Sequence, residues 1–326
     1  MTLQPHWSGR VLSAPEHRIG GLKIIFVSHA QNYEDVALFR ALGDVERGFY
    51  IDIGAFHADR YSVTKAFYDR GWSGINIEPN PGLHKEIALA RPRDVNLCVA
   101  VADAPGTIEL TIFEDDALST TSSETVIYHG TNHRVVEILP VQAVLLESVW
   151  DDHVPSDSEV HFLKLDIEGG EREVIRSFDW SRRRPWVVVV EATKPETEVD
   201  SSWEWESTLL NAGYLLAYND RLNRFYVSSE HSTLVSKLSL PPSVHDRFIS
   251  AEIDRLRAEL ATTRSQSADE LAGLHEALAS AQLSAREFDE LYRATIASTS
   301  WRATRPLRAL SRFIRGRSSS APPANL

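Results

Sequence analysis

The sequence predicts an α/β fold in which a mostly parallel sheet carries helices on both faces. Short apolar runs alternate with helical patterns from residue 49 onward, and this order is typical of parallel sheets covered on both sides. The segment WVVVVE at 186–191 is the most strand-like of these runs. With 326 residues, 43% of them hydrophobic, the chain can bury the core of one such domain and still carry an appendage.

The elements can be assigned in order from the apolar patterns. We expect strands at 49–53, 74–77, 95–101, 107–113, 160–165 and 186–191. We expect helices at 32–42, 62–70, 82–90, 170–177 and 203–213, and a terminal antiparallel pair at 213–217 and 224–227. Residues 1–22 have no clear period and form a predicted lead-in, so the predicted domain spans 23–245 and ends after Pro241 and Pro242.

A different pattern, typical of a coiled coil, follows at 246–297. Apolar residues recur there at spacings of three and four, at Ile249, Ile253, Leu256, Leu260, Leu271, Leu274, Leu278, Ala281, Ala285, Phe288 and Tyr292. Only small or polar residues lie between Leu260 and Leu271, which resembles a stutter in the repeat. We predict a coiled-coil helix through which the chain forms a homo-oligomer or binds a glycosyltransferase. The alternative is a single amphipathic helix packed on the domain.

Composition excludes several classes of function. The net charge of −12 disfavours general binding to nucleic acid, whose phosphates would be repelled. A single cysteine, Cys98, cannot form a disulfide framework or a thiolate metal cluster within one chain. The sequence shows neither an apolar run of about 18 residues nor a secretion signal, so we expect a cytoplasmic protein.

The clearest local motif predicts a nucleoside site. Gly54 directly follows the strand at 49–53, where a missing Cβ would let a ligand lie against the backbone. Glu78 ends the next strand, near the spacing of about 20 residues at which an acid accepts hydrogen bonds from ribose. Both positions fall at the carboxyl ends of strands, where doubly wound sheets bind ligands.

The same motif favours S-adenosylmethionine over NAD. A pyrophosphate needs further glycines around the helix N-terminus, and none follows Gly54 before Gly71. S-adenosylmethionine carries positive charge and no phosphate, so nearby acids such as Asp52 are tolerable. Asp103, after VAVA, would accept a hydrogen bond from the adenine amine, or else simply form the turn DAPG. The chain also lacks a GxxxxGK phosphate loop, which disfavours a kinase or an ATPase.

Five stretches of the chain resemble the FkbM-type methyltransferases. They are SHAQNYEDVAL (28–38), YIDIGAFHADRYSVTKAFYDRGWSGINIEPNP (50–81), FLKLDIEGGEREVI (162–175), PWVVVVEATKP (185–195) and LNRFYV (222–227). The resemblance implies a Rossmann-like methyltransferase sheet, S-adenosylmethionine as the donor, and O-methylation of a sugar, glycan or related metabolite. It places Asp52, Gly54 and Ala55 beside the methionine part of the cofactor and Glu78 beside its ribose. Many relatives have asparagine where this chain has Phe56.

Methyl transfer to a hydroxyl requires a group that orients the acceptor or removes its proton. Asp166 and Glu168, in KLDIEGGE, are the best candidates because they leave a strand at its carboxyl end. Glu191, at the end of the next strand, offers an alternative in which the three carboxylates hold Mg²⁺, although we expect no metal. His57 is a second candidate base, since histidine titrates near neutral pH; the alternative is a hydrogen-bonding turn residue.

The segment 298–326 is a basic amphipathic tail. It has six arginines and no acidic residue, so the net charge divides into +6 for the tail and −18 for the rest of the chain. A similar SWRxTxPLR stretch follows coiled coils in bacterial capsule and O-antigen enzymes. We expect peripheral contact with an anionic membrane, the alternatives being a solvated basic helix or a segment that docks a partner. The rival to an enzyme is an inactive methyltransferase-like scaffold that recruits glycosyltransferases.

Overall fold

The computed structural model describes residues 18–19, 22–23 and 25–317, with side chains from 25 to 312. Most of the predicted lead-in at 1–22 and the end of the tail at 318–326 therefore lie outside the described residues. The chain forms two compact units, one through Asp254 and one from Arg255 onward.

The strands of the first unit are β1 (Arg18–Ile19), β2 (Leu22–Lys23), β3 (Phe26–Ser28), β4 (Phe49–Ile53), β5 (Ser73–Ile77), β6 (Val95–Leu97), β7 (Ala100–Val101), β8 (Gly106–Phe113), β9 (Val135–Val144), β10 (Phe162–Leu165), β11 (Val187–Glu191), β12 (Tyr214–Asn219), β13 (Asn223–Ser228) and β14 (Phe248–Ser250). The helices are α1 (Glu34–Leu42), α2 (Lys65–Asp69), α3 (Pro81–Ala90), α4 (Ser123–His129), α5 (Leu146–His153), α6 (Glu171–Ser177), α7 (Glu206–Asn211), α8 (Val235–Leu238), α9 (Ala251–Ala297), α10 (Thr299–Ala303) and α11 (Arg305–Arg317).

The central sheet has seven strands in the order β12-β13-β11-β10-β4-β5-β6. The five strands from β11 to β6 are parallel, and β13 and β12 add an antiparallel edge. The predicted strands at 49–53, 74–77, 160–165 and 186–191 and the terminal antiparallel pair are thus confirmed in this sheet. Five helices, α1, α2, α3, α6 and α7, correspond to predicted helices. The predicted helix at 62–70 is shortened to α2, and the one at 203–213 is reduced to a 3₁₀ turn (Ser202–Glu204) and α7.

Both faces of the sheet are buried, which explains the continuous apolar runs. Alternate strand residues enter two separate cores: Ile51 and Val188 pack in one, and Tyr50 and Val189 in the other. Because residues two apart on a strand share a face, a strand covered on both sides must be apolar throughout. Each fully buried side chain of this size contributes roughly 1.5–3 kcal/mol to stability.

The predicted strand at 95–101 is wrong as one element. Residues 95–97 form β6 of the central sheet, whereas Ala100 and Val101 form β7 in a second sheet with the order β7-β9-β8. The chain leaves the central sheet at Cys98, and no glycine or proline marks the break. The second sheet contains the predicted strand at 107–113 as β8, and the connection from β8 to β9 contains α4.

The first unit continues past the predicted boundary at residue 245. Strand β14 pairs in parallel with β3, and Ile249 is buried. Arg40 on α1 makes an ion pair with Asp246 at 3.2 Å. Ile249 therefore belongs to the core of the domain and not to the apolar repeat of the predicted coiled coil.

The C-terminal helices carry an exposed apolar row. Helix α9 runs unbroken for 47 residues through the predicted stutter. Apolar side chains of the predicted seam, among them Leu256, Leu274 and Phe288, are at least half exposed. No helix among the described residues is long and apolar enough to cross a membrane.

Candidate active site

A cavity of about 620 Å³ opens at the carboxyl ends of β4, β5, β10 and β11. Phe56, Glu78 and Val99 line one part of it, and Asp166 and Glu191 line another. The strand ends meet here because the four strands are parallel and adjacent, as in other doubly wound sheets. The cavity thus joins the predicted nucleoside site to the predicted catalytic acids.

Gly54 forms the turn that brings two strand ends together. Its φ of 77° lies in the left-handed region, and a Cβ would stand 1.7 Å from the carbonyl oxygen of Asp166. The N–H groups of Gly54 and Ala55 donate to the carbonyl of Ile77 at 3.0 and 3.1 Å. Glycine is therefore required for the approach of backbone to backbone. Gly54 also lines the cavity, and the space that it leaves for a ligand stays a prediction.

Glu78 is held with its carboxylate at the cavity. Its two oxygens accept hydrogen bonds from the N–H groups of Phe56 and Asn80, at 2.9 and 2.8 Å. Burial raises the pKa of Glu78 to about 7. A carboxylate fixed by backbone donors keeps further lone pairs for the two hydroxyls of a ribose.

Three other residues expected at the cofactor do not line this cavity. Asp52 lies in β4 and accepts a hydrogen bond from Thr64 Oγ1 at 2.7 Å. Ala55 is buried, and the neighbouring Phe56 reaches the cavity instead. Asp103 is exposed and lines an adjacent cavity of about 540 Å³, because the chain has left the central sheet before reaching it.

Lys164 is a site residue that the sequence reasoning missed. It stands opposite Asp52 in the β10–β4 register, and its ammonium donates to the carbonyl of Gly54 at 2.9 Å. Its Nζ lies 3.2 Å from Asp166 Oδ2 and 3.7 Å from Asp52 Oδ1. Burial alone would lower the pKa of Lys164, but the two carboxylates outweigh it and raise the pKa. The signal available was a lysine inside the apolar run FLKL.

Asp166, Glu168 and Glu191 converge on one point, with a carboxylate oxygen of each within 4.8 Å of the others. Burial and then the charge of Asp166 raise the pKa values of Glu168 and Glu191. Glu168 has a left-handed φ of 56°, an unusual conformation for a residue other than glycine. Asp166 and Glu168 thus lie together at the cavity, and their catalytic role stays a prediction. The grouping also matches the donor set of the Mg²⁺ alternative.

The loop that carries Glu168 is fixed on both sides. The carbonyl of Glu168 accepts hydrogen bonds from the hydroxyls of Thr120 and Thr125, at 2.8 and 3.0 Å. Glu171 accepts from the N–H groups of Ile167 and Gly169. Glu171 therefore holds the backbone and does not line this cavity, and the strained conformation of Glu168 is maintained by its surroundings.

His57 lies outside the carboxylate group. Its Nδ1 is 3.3 Å from Glu86 and its Nε2 is 3.3 Å from Asp116, while Arg60 stands 2.7 Å from the same Nε2. Both ring nitrogens are occupied, and the side chain does not line the cavity. This arrangement suits the turn-residue alternative better than a catalytic base.

The cavity is strongly acidic. Nine acidic side chains and two basic ones, Lys164 and Arg60, lie along its walls. Such a site attracts a cation and disfavours a ligand with several negative charges. The surplus of acids agrees with a sulfonium donor and disagrees with a dinucleotide.

The chain is similar to several solved structures and to one protein family. Superposition on solved structures gives a fibrillarin pre-rRNA processing protein from Methanococcus jannaschii (11% identity, TM-score 0.31, 56% of this chain and 67% of that one). It also gives the METTL16 MTase domain (13%, 0.32, 60% and 66%) and a precorrin-6y C5,15-methyltransferase from Geobacter metallireducens GS-15 (12%, 0.28, 58% and 78%). No curated protein matches the sequence.

The family described as the methyltransferase FkbM domain matches residues 52–216. This range covers half of the chain and includes Gly54, Glu78, Lys164 and the three converging carboxylates. The chain belongs to the FkbM methyltransferase family.

Proposed function

We propose that this protein is an S-adenosylmethionine-dependent O-methyltransferase that acts on a hydroxyl of a sugar, glycan or related metabolite, in a pathway of the capsule or O-antigen type. The observation that carries the proposal is a single cavity that is lined both by Glu78, an acid placed to bind ribose, and by the carboxylates of Asp166, Glu168 and Glu191.

The walls of the cavity fit the proposed donor. Glu78 offers lone pairs to ribose hydroxyls, and Phe56 and Val99 offer apolar surface to a purine ring. The acidic surplus complements the ammonium and sulfonium charges. When bound, S-adenosylmethionine supplies a methyl group that its sulfonium has already activated toward attack by oxygen.

The carboxylate group suits removal of a proton from the acceptor. A carboxylate with a raised pKa is a stronger base, so burial makes Glu168 and Glu191 better proton acceptors than exposed acids. The ammonium of Lys164 holds Asp166 in place at 3.2 Å. We assign Asp166 and Glu168 to orienting and deprotonating the hydroxyl, with Glu191 sharing the proton.

The charge of the cavity narrows the acceptor class. Sugar hydroxyls are neutral and donate hydrogen bonds to carboxylates, whereas a phosphate or carboxylate on the acceptor would face nine acidic side chains. An acceptor that presents a neutral hydroxyl to the methyl group of the donor therefore fits this cavity best.

The test uses the full chain, a methyl donor labelled isotopically, and a panel of glycan acceptors analysed by mass spectrometry. We expect label on a neutral sugar hydroxyl and a large loss of turnover in Asp166→Asn, while the control Asp44→Asn, an exposed carboxylate, keeps activity. Calorimetry with S-adenosylhomocysteine should show binding that Glu78→Ala weakens strongly. Absence of binding would overturn the enzyme proposal, and binding without turnover on any acceptor would favour the inactive scaffold.

The C-terminal helices support a proposal on partners. The exposed apolar row of α9 fits pairing with a second copy of the chain or with a glycosyltransferase. In α10 and α11 the apolar side chains of Trp301, Leu307 and Leu310 are exposed beside arginines, and Arg308 stacks 3.6 Å from the Trp301 ring. We propose that this basic tail, with no acidic residue, lies on an anionic membrane surface.

A further inference from the structure

A second group of ligand-type side chains contains none of the three converging carboxylates. It consists of His129, His133 and Glu196, which each present an atom within 4.8 Å of the other two. Glu196 Oε2 is 2.9 Å from His129 Nδ1, and Glu196 Oε1 is 2.9 Å from His133 Nε2. We propose that this group is a binding site for a zinc-type divalent ion, a site that rests on its own geometry and not on the proposed function.

The backbone presents the two histidines together. His129 ends α4, and the chain continues for one more turn in which His133 N donates to the carbonyl of His129 at 2.8 Å. Residues four apart on a helical turn lie on one side of it, as in helical zinc motifs with two histidines. Histidine nitrogens with a carboxylate oxygen form a donor set that Zn²⁺ takes readily.

The carboxylate comes from a loop that is itself constrained. Glu196 has a left-handed φ of 55°, and Thr197 closes a turn onto the carbonyl of Lys194 with both its N–H and its hydroxyl. The base of the loop is joined by a bridge between Thr193 and Asp200. An unfavourable conformation held by such contacts is typical of positions that serve a site.

One side of this group of three residues is buried, and the other side is open to solvent. The His129 side chain is wholly buried, and the edge of the Phe113 ring packs against both histidines. The His129 Nε2 atom is buried without a hydrogen-bond partner among the described residues, so the polar contact of this ring is directed at Glu196. His133 and Glu196 are 24% and 32% exposed, which leaves a path for an ion and for a water as fourth ligand.

Small movements suffice to admit the ion. Two ligands of one tetrahedral zinc with bonds of about 2.0–2.1 Å lie roughly 3.3–3.4 Å apart. The present separations are shorter by a few tenths of an ångström, and the partly exposed side chain of Glu196 can withdraw by that amount. The bound ion would tie the end of α4 to the loop at 193–200, which lines the cavity through Thr193 and Glu196.

The test is metal binding by the full chain, after removal of metals with a chelator and dialysis. Zn²⁺ is titrated by calorimetry and counted by mass spectrometry, and Co²⁺ serves as a probe whose visible absorption reports the coordination geometry of the bound ion. We expect about one ion per chain. Glu196→Gln and His133→Asn should lower the affinity by more than the roughly 10- to 100-fold that loss of an outer-shell partner costs.

Two control variants separate this site from other binding. His245→Asn removes an exposed histidine elsewhere, and Glu191→Gln breaks the three converging carboxylates; both should leave the number of bound ions and the Co²⁺ spectrum unchanged. If His133→Asn does not fold, as judged by circular dichroism, Glu196→Gln in the exposed part of the loop decides alone. Failure to retain Zn²⁺, or an affinity that Glu196→Gln leaves unchanged, overturns the proposal. Neither readout depends on methyl transfer.

Discussion

Replacement of Lys164 by methionine tests the connection between the two halves of the cavity. Methionine keeps much of the volume but removes the ammonium, which is 9% exposed and faces Asp52, Asp166 and the carbonyl of Gly54. Breaking a buried ion pair by removing one partner costs about 3–5 kcal/mol. Since domains of this kind have a stability of about 5–15 kcal/mol, Lys164→Met should remove a large share of it.

The pH dependence of this loss has a definite sign. The pKa of Lys164 is raised by folding, so its contribution is fully present below the pKa of the unfolded lysine and is lost only as pH rises through the folded value. At neutral pH the wild-type protein therefore has the full contribution. The difference in stability between the wild-type protein and the variant should therefore shrink only as pH rises toward the folded pKa of Lys164.

The assay is urea unfolding followed by the fluorescence of the tryptophans, of which the chain has eight. The matched control is Lys237→Met, which removes a lysine that is 43% exposed and pairs with Asp44, a contact expected to contribute about 0–1 kcal/mol. If Lys164→Met lowers the free energy of unfolding at neutral pH by no more than the control does, the ion pairs of Lys164 with Asp52 and Asp166 do not stabilise the domain as argued.

Two further predictions concern the cofactor and the tail. Because burial raises the pKa of Glu78 to about 7 and ribose hydroxyls favour the ionised form, affinity for S-adenosylhomocysteine should fall as pH drops below neutrality. Glu78→Gln should weaken binding by about 10- to 100-fold and flatten this dependence, and a wild-type affinity that is constant across neutrality in calorimetry would contradict it. Truncation before Ser298 should abolish cosedimentation with anionic liposomes, because each arginine contributes about 1 kcal/mol to the free energy of binding an anionic membrane. Equal sedimentation of the shortened chain would contradict membrane binding by the tail.

The sequence predicts those parts of the fold in which consecutive residues are buried and therefore form a continuous apolar run. Strands β5 and β10 are almost wholly buried because both faces are covered, and the acids that directly follow them, Glu78 and Asp166, line the cavity. Glu78 and Asp166 could be assigned on this basis. Strand β9 could not, because exposed residues occupy most of its length and give no buried run.

Contacts between distant segments were beyond the sequence pattern. In the sequence, Lys164 is a single charged residue within an apolar strand. Its ion pair with Asp52 follows only from the strand register that places the two residues opposite each other. His129 and Glu196 likewise lie on separate elements, so nothing local indicates that they meet. Asp103 shows the converse error, since its assignment assumed a strand that in fact ends at Leu97.

The parallel pairing of β3 with β14 has a consequence for synthesis on the ribosome. Residues 26–28 find their partner strand only at 248–250, so about 220 residues must be made after the first strand leaves the ribosome. At about 5–20 residues per second this takes roughly 10 to 45 seconds, during which the edge of β3 has no native partner. A chaperone that holds the nascent chain would protect this edge, and the domain closes only when the segment leading into α9 has emerged.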